Sequence, residues 1–168
     1  MMPRLSLLGL VRTVFVVVGA LSVATVLPRL GVPARLLPDL VVIGVAASAV
    51  LRGPAHGALL GLAAGWVVDL VPPAGSPLGA TALLYAVAGA TAGSLHRQGG
   101  RGPVIALAAL ASAALVVRFG EVVLAILGDG VVDVPAALTR VAMTLVVGVV
   151  ALPALIGLDH SLVRRRLA

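Results

Sequence analysis

Apolar residues run along the chain in six long blocks, separated by short segments that hold most of the charges and prolines. The blocks predict helices roughly over 5–27, 36–51, 54–71, 77–95, 103–127 and 135–158. Long apolar runs with few charges read as membrane helices, because a helix satisfies its own backbone where no water is available to do so. Pro38, Pro54, Pro77, Pro103 and Pro135 each stand at the opening of a block, where the missing N–H of proline would have had no partner anyway. Gly53, Ser76 and Gly102 precede three of these prolines and read as N-caps. Pro153 falls inside the last block, where it should free the carbonyl of Val149 and kink the helix. The pattern therefore predicts an all-α integral membrane protein with six transmembrane helices in a single domain, 1–168.

Composition narrows this further. Of 168 residues, 61% are apolar and 11% charged, whereas a soluble domain uses about a quarter charged residues. Six spans of about 20 residues leave no room for an extramembrane domain. Aromatic content is 2%, so no Trp/Tyr belt marks the interfaces. Twelve Arg and no Lys against six acids give a net charge of +6. Those charges border membrane spans rather than forming one patch, which disfavours nucleic-acid binding. Arginine counting in short loops gives the orientation. With the N-terminus cytoplasmic, the inner side holds Arg4, Arg52, Arg97, Arg101 and Arg164–Arg166, and the outer side only Arg29 and Arg35. Both termini are expected inside, with the basic tail against anionic lipid headgroups. The first block is span-length rather than the shorter core of a signal sequence, and is expected to be retained despite the weak cleavage-like run Ser22-Val23-Ala24.

Glycine recurs every fourth residue in the third block, at Gly53, Gly57, Gly61 and Gly65, and the series ends at Asp69. Steps of four drift only about 40° around a helix, so the glycines make a groove against which another backbone can pack closely. Gly89 and Gly93 repeat the spacing in the fourth block. Packing within this chain and docking of a foreign helix both fit such a groove. The second block is short: Leu40 to Leu51 is about 18 Å of helix, against a hydrocarbon core near 30 Å. Its opening Pro38-Asp39 puts a carboxylate at a helix N-terminus, where the dipole favours negative charge. Besides Asp39, several charges fall inside predicted spans. Arg12 lies close enough to the cytoplasmic end to snorkel. Asp69, Arg118, Glu121 and Arg140 sit at similar depth in the outer half and are expected to form one neutral network, since an unpaired charge there costs several kcal/mol.

Much chemistry is missing. With no cysteine, disulfides, thiolate metal sites and cysteine nucleophiles are excluded together. His56, His96 and His160 stand singly near cytoplasmic helix ends, so no metal site is expected. Asp159-His160-Ser161 are consecutive and their side chains diverge around a helix, so they form no relay. Gly75-Ser76-Pro77-Leu78-Gly79 has its serine one place too early for a nucleophile elbow, and there is no P-loop. An enzyme is not expected, and no cofactor is implied.

A short helix opened by Pro38-Asp39, then Arg52, then a helix with Gly57, Gly61 and Gly65 ending in Asp69, then Pro77-Leu78-Gly79, then a helix with Tyr85, Gly89 and Gly93: in that order the chain resembles the rod-shape-determining MreD family. The motifs lie between about Leu37 and Gly93, and the flanks agree in hydropathy. Two features depart from the family's pattern: the aromatics beside the central glycines are missing apart from Trp66, and Thr81 and Pro72-Pro73 are unusual there. The resemblance implies a fold similar to the S components of energy-coupling-factor transporters. It also implies a non-enzymatic multi-pass subunit of the bacterial inner membrane, serving cell shape and peptidoglycan synthesis. Its implied partners are an MreC-like protein and, through it, RodA, a class B penicillin-binding protein and, indirectly, MreB. On this reading the Gly57/Gly61/Gly65 groove, with Asp39 and Asp69, forms the partner-binding surface. The rival expectation is a substrate-binding subunit of a vitamin-type transporter with a pocket around Arg118, Glu121 and Arg140. Such a pocket needs aromatic walls that one Trp, one Tyr and two Phe hardly supply.

Overall fold

The computed structural model describes residues 31, 33, 36–70, 78–95, 103–128 and 133–164, with side chains as far as residue 153. Their regular structure is helical, in the order α1 Leu40–Arg52, α2 Pro54–Asp69, α3 Ala80–Ser94, α4 Pro103–Leu127 and α5 Val134–Arg164. The helix expected over 5–27, Arg12, the caps expected at Ser76 and Gly102, and Pro77 lie outside the described residues.

Helix α1 is the centre of the bundle. Its residues from Val41 to Ala49 are all buried, and it packs on α2, α3, α4 and α5. A helix apolar on every face belongs inside. Gly44, Ala46, Ala47 and Ala49 keep it slim enough for four neighbours to close around it. It starts later than hydropathy suggests, at Leu40 rather than residue 36, because the Asp39 side chain accepts the Val42 N–H at 3.1 Å and so caps the helix. Pro38 therefore precedes the cap instead of occupying the first helical position. Gly53 alone joins α1 to α2. Its φ of 92° and ψ of 177° suit a residue without Cβ, and Pro54 then opens α2 as expected.

Helices α2 and α3 share the most extensive contact in the fold. Going up α2 in steps of four, Gly57 meets Gly89, Gly61 meets Tyr85 and Gly65 meets Ala82. The partner number falls as the glycine number rises, so the two helices are antiparallel. At Gly57 an added Cβ would also stand 2.6 Å from the Ala49 Cβ, which puts α1 at the same seam. Elsewhere small residues receive leucines: Gly120 of α4 takes Leu84, and Gly148 of α5 takes Leu110.

Two helical segments, Pro103–Leu127 and Val134–Pro153, are long and apolar enough to cross a membrane. At 13, 16 and 15 residues, α1, α2 and α3 reach about 20–24 Å, so the described residues form two long helices and three shorter ones, the second block being short as its sequence suggests. Helix α5 begins at Val134, with Asp133 accepting the Ala136 N–H at 3.0 Å, and continues through Pro153 to Arg164. The outward faces of the long helices stay apolar: Leu115, Phe119, Val123 and Ile126 on α4, and Leu138, Val146, Val149 and Val150 on α5, are exposed. A large exposed apolar surface marks membrane or protein contact; with the two long helices, it points to membrane association of a chain whose described residues are helical.

Candidate functional site

The polar centre of the protein is built on Asp39. Because Asp39 caps the central helix, its carboxylate sits where α3, α4 and α5 converge. One oxygen, Oδ1, accepts from Val42 N–H. The other, Oδ2, accepts from the Tyr85 hydroxyl at 2.7 Å and from an Arg118 NH2 group at 2.8 Å. The Asp39 backbone N–H donates to Thr144 Oγ1 at 2.9 Å, and that hydroxyl donates onward to the Arg140 carbonyl at 2.8 Å. Arg118 uses its second terminal nitrogen on Glu121, one turn further along α4. The Asp39 and Arg118 side chains are 12% and 10% exposed, whereas Glu121 is 42% exposed. A buried charge pair holds only when its remaining donors and acceptors are also satisfied. Here the carboxylate has three partners and the guanidinium two.

Asp69 does not belong to this network, contrary to the charge arithmetic. It is 2% exposed and lies at the end of α2, where its Oδ2 accepts the N–H groups of Gly79 at 3.0 Å and Ala82 at 3.3 Å. Gly79 is the N-cap of α3, with φ 88°, and a glycine has no side chain to cap with. The carboxylate arrives instead from the preceding helix, stabilised by orphan backbone donors and the helix dipole rather than by an arginine. The distance along the chain, ten residues to Gly79, hides this cap from any search of adjacent positions.

Arg118 and Glu121 do pair, as the i,i+3 spacing suggests. Arg140 lies within electrostatic range of Glu121, yet no hydrogen bond or ion pair joins its side chain to the described residues. Its Nε is buried and unpartnered. The observed network is therefore Asp39, Tyr85, Arg118, Glu121 and Thr144, with Arg140 beside it. Tyr85 and Thr144 were not readable as members. The available signal was that the chain's one tyrosine lies in an apolar helix, where a phenolic O–H requires a partner.

The glycine groove is not a partner-binding surface. Gly57, Gly61 and Gly65 are buried under α3 of the same chain, so of the two occupants that the spacing allows, the structure shows the internal one. Asp39 and Asp69 likewise direct their carboxylates inward. None of these five residues offers a foreign helix a place to lie. A further polar contact on the short helices is at the opposite end of α1, where Arg52 and His56 approach to 3.3 Å at the exposed start of α2. Among the described residues no group of three or more His, Asp or Glu side chains is placed to hold a metal. Comparison with models of known protein families, with curated proteins and with solved structures finds no match.

Proposed function

We propose that the chain is a multi-pass scaffold of the bacterial inner membrane: a non-enzymatic subunit of the cell-elongation machinery, similar to the MreD family. In this reading it holds an MreC-like protein and thereby supports RodA and a class B penicillin-binding protein during peptidoglycan synthesis. One observation carries the reading. The residues of the resemblance are the joints of the bundle: Asp39 ties α1 to Tyr85 of α3 and Arg118 of α4, Asp69 caps α3, and the two glycine series close α2 on α3. Polar groups are used to hold helices together, and the outside of the long helices is apolar, as suits a protein that works by being held among other helices. The surface offered to partners is then the outward faces of α4 and α5 rather than the glycine groove.

The transporter reading loses ground on the same geometry. Its pocket needs Arg118 and Glu121 free to meet a ligand, and the Arg118 guanidinium is engaged by Asp39 and Glu121 inside the bundle. Crosslinking in membranes of the source cell, followed by purification, tests the proposal. The expected result is recovery of an MreC-like protein and loss of rod shape when the chain is depleted. Recovery without that protein, or a vitamin-sized molecule found in the purified chain by mass spectrometry, would overturn it.

A further inference from the structure

Helices α2 and α3 form a pair whose ends are level. At one end Gly93 of α3 lies against Pro54, the first residue of α2. At the other, the carboxylate of Asp69, the last residue of α2, accepts the N–H of Gly79, the N-cap of α3. The pair is therefore one helix high, 16 residues against 15, or about 24 Å. Both ends of α2 are set by its sequence. Gly53 turns the chain at φ 92° before it, and Pro72-Pro73 follow soon after Asp69, where missing N–H groups stop a helix from continuing. Helix α4 differs: its exposed apolar residues run from Val104 to Leu127, about 35 Å along the axis.

The outward side of the α2–α3 pair is apolar. On α2, Ala55, Leu59, Ala63, Trp66 and Leu70 are exposed at steps of three and four, and Leu83 and Val87 are exposed on α3. The hydroxyls of Thr91 and Ser94 turn back on their own helix, donating to the carbonyls of Ala88 at 2.9 Å and Thr91 at 2.7 Å. Membrane helices associate through small residues and shared hydrogen bonds, and here the glycines of α2 face inward and the hydroxyls are used up. Such a face suits acyl chains better than a protein. Trp66 stands three residues before the end of α2, and Arg52 and His56 lie at its start. Tryptophan gathers at the headgroup level and basic groups reach for it, so both boundaries fall within a span shorter than the usual hydrocarbon core of about 30 Å.

We propose that the α2–α3 side takes phospholipid with short acyl chains and thins the bilayer by about 6 Å on that side alone. Irregular backbone beyond the two helix ends cannot enter hydrocarbon, so the bilayer adapts to the short pair, while α4 meets a bilayer of ordinary thickness by tilting. The inference rests on the membrane setting of the scaffold reading and is independent of who its partner is.

The test uses the full chain in phosphatidylcholine vesicles with monounsaturated chains of about 14, 18 or 22 carbons. Trp66 is the chain's one tryptophan, and its quenching by mid-chain brominated lipids in competition reads relative binding on the short side. The shortest lipid should bind there at least about twofold better than the longest. Trp66→Phe with Leu59→Trp moves the reporter to the middle of the same face and should give the same order. Trp66→Phe with Leu115→Trp moves it to α4, where the preference should vanish or reverse. Equal quenching by all chain lengths at positions 66 and 59 overturns the proposal. So does a short-chain preference of the same size at position 115, since the thinning would not be one-sided. A reporter at position 59 that no brominated lipid quenches also overturns it, because a second copy would then cover the face. If the preference is found while no MreC-like protein is recovered from cells, the family assignment fails and the short side stands. Recovery of that protein with equal quenching keeps the scaffold reading and removes this one.

Discussion

Arg118 stands between two carboxylates of unequal standing: Asp39 is enclosed and also bonded to Tyr85, while Glu121 is partly open. Removing the arginine takes from Asp39 its paired cation and leaves Glu121 only Arg140 in electrostatic range, and breaking a buried pair by taking one partner typically costs about 3–5 kcal/mol. Arg118→Ala should therefore destabilise by that order in reversible unfolding from detergent. Adding Glu121→Gln should restore about 0.5–3 kcal/mol, the range of coupling between residues in one network. Strict additivity of the two changes would show that they do not share a site. Tyr85→Phe tests the other arm of Asp39. It removes one hydrogen bond to a charged group while keeping the ring, so a loss of about 1.5–3 kcal/mol is expected; an unchanged midpoint would mean the hydroxyl adds nothing. At Asp69 the requirement is only an acceptor. Asp69→Asn should retain most of the stability, whereas Asp69→Ala, which orphans the Gly79 and Ala82 N–H groups, should cost about 1–3 kcal/mol.

Among elements, the α2–α3 seam is the rigid part, because backbone meets backbone there. A methyl group at Gly61 would overlap the Tyr85 carbonyl and peptide, which neither helix can move aside without parting from the other. At Gly148 the obstacle is a terminal methyl of Leu110, which can rotate. Alanine also gains about 1 kcal/mol of helix propensity over glycine, while overpacking costs about 1–3 kcal/mol. Gly148→Ala should thus be near neutral, and Gly61→Ala should lose at least 2 kcal/mol, above the overpacking midpoint, with α3 separating first in hydrogen exchange. Equal effects at both sites would contradict the seam. The glycine spacing announced close approach of a backbone but could not say whose, since a foreign helix and α3 present the same smooth surface to it. Likewise, the predicted neutral network had the right pair in Arg118 and Glu121 and the wrong second acid. Depth estimates along separate helices do not say which side of each helix faces which neighbour.

For the whole molecule, the apolar outward faces of α4 and α5 predict burial in lipid or against partner helices. Single cysteines at Phe119 and Val146 should resist a water-soluble maleimide in vesicles yet react once the bilayer is dissolved with denaturant. Reaction in intact vesicles at both positions would argue against a membrane setting for the long helices. The three short helices bear on the same question. Length alone does not set their burial: α1 is enclosed because the four other described helices pack around it, whereas α2 and α3, nearly as short, keep Leu59, Trp66 and Leu83 exposed.

The order of residues by itself determined that the chain is helical and apolar, where most helices begin and end, and that Arg118 and Glu121 pair, because hydropathy, proline placement and i,i+3 spacing act within about one turn or one span. Three things were decided only in the tertiary structure: that Asp39 and not Asp69 holds Arg118, that Asp69 caps a helix ten residues away, and that the glycines enclose α3. Each depends on how helices are rotated about their own axes. That rotation is set by the fit of all five at once, through close backbone contact at Gly57, Gly61 and Gly65 and one shared carboxylate, and no local pattern encodes it.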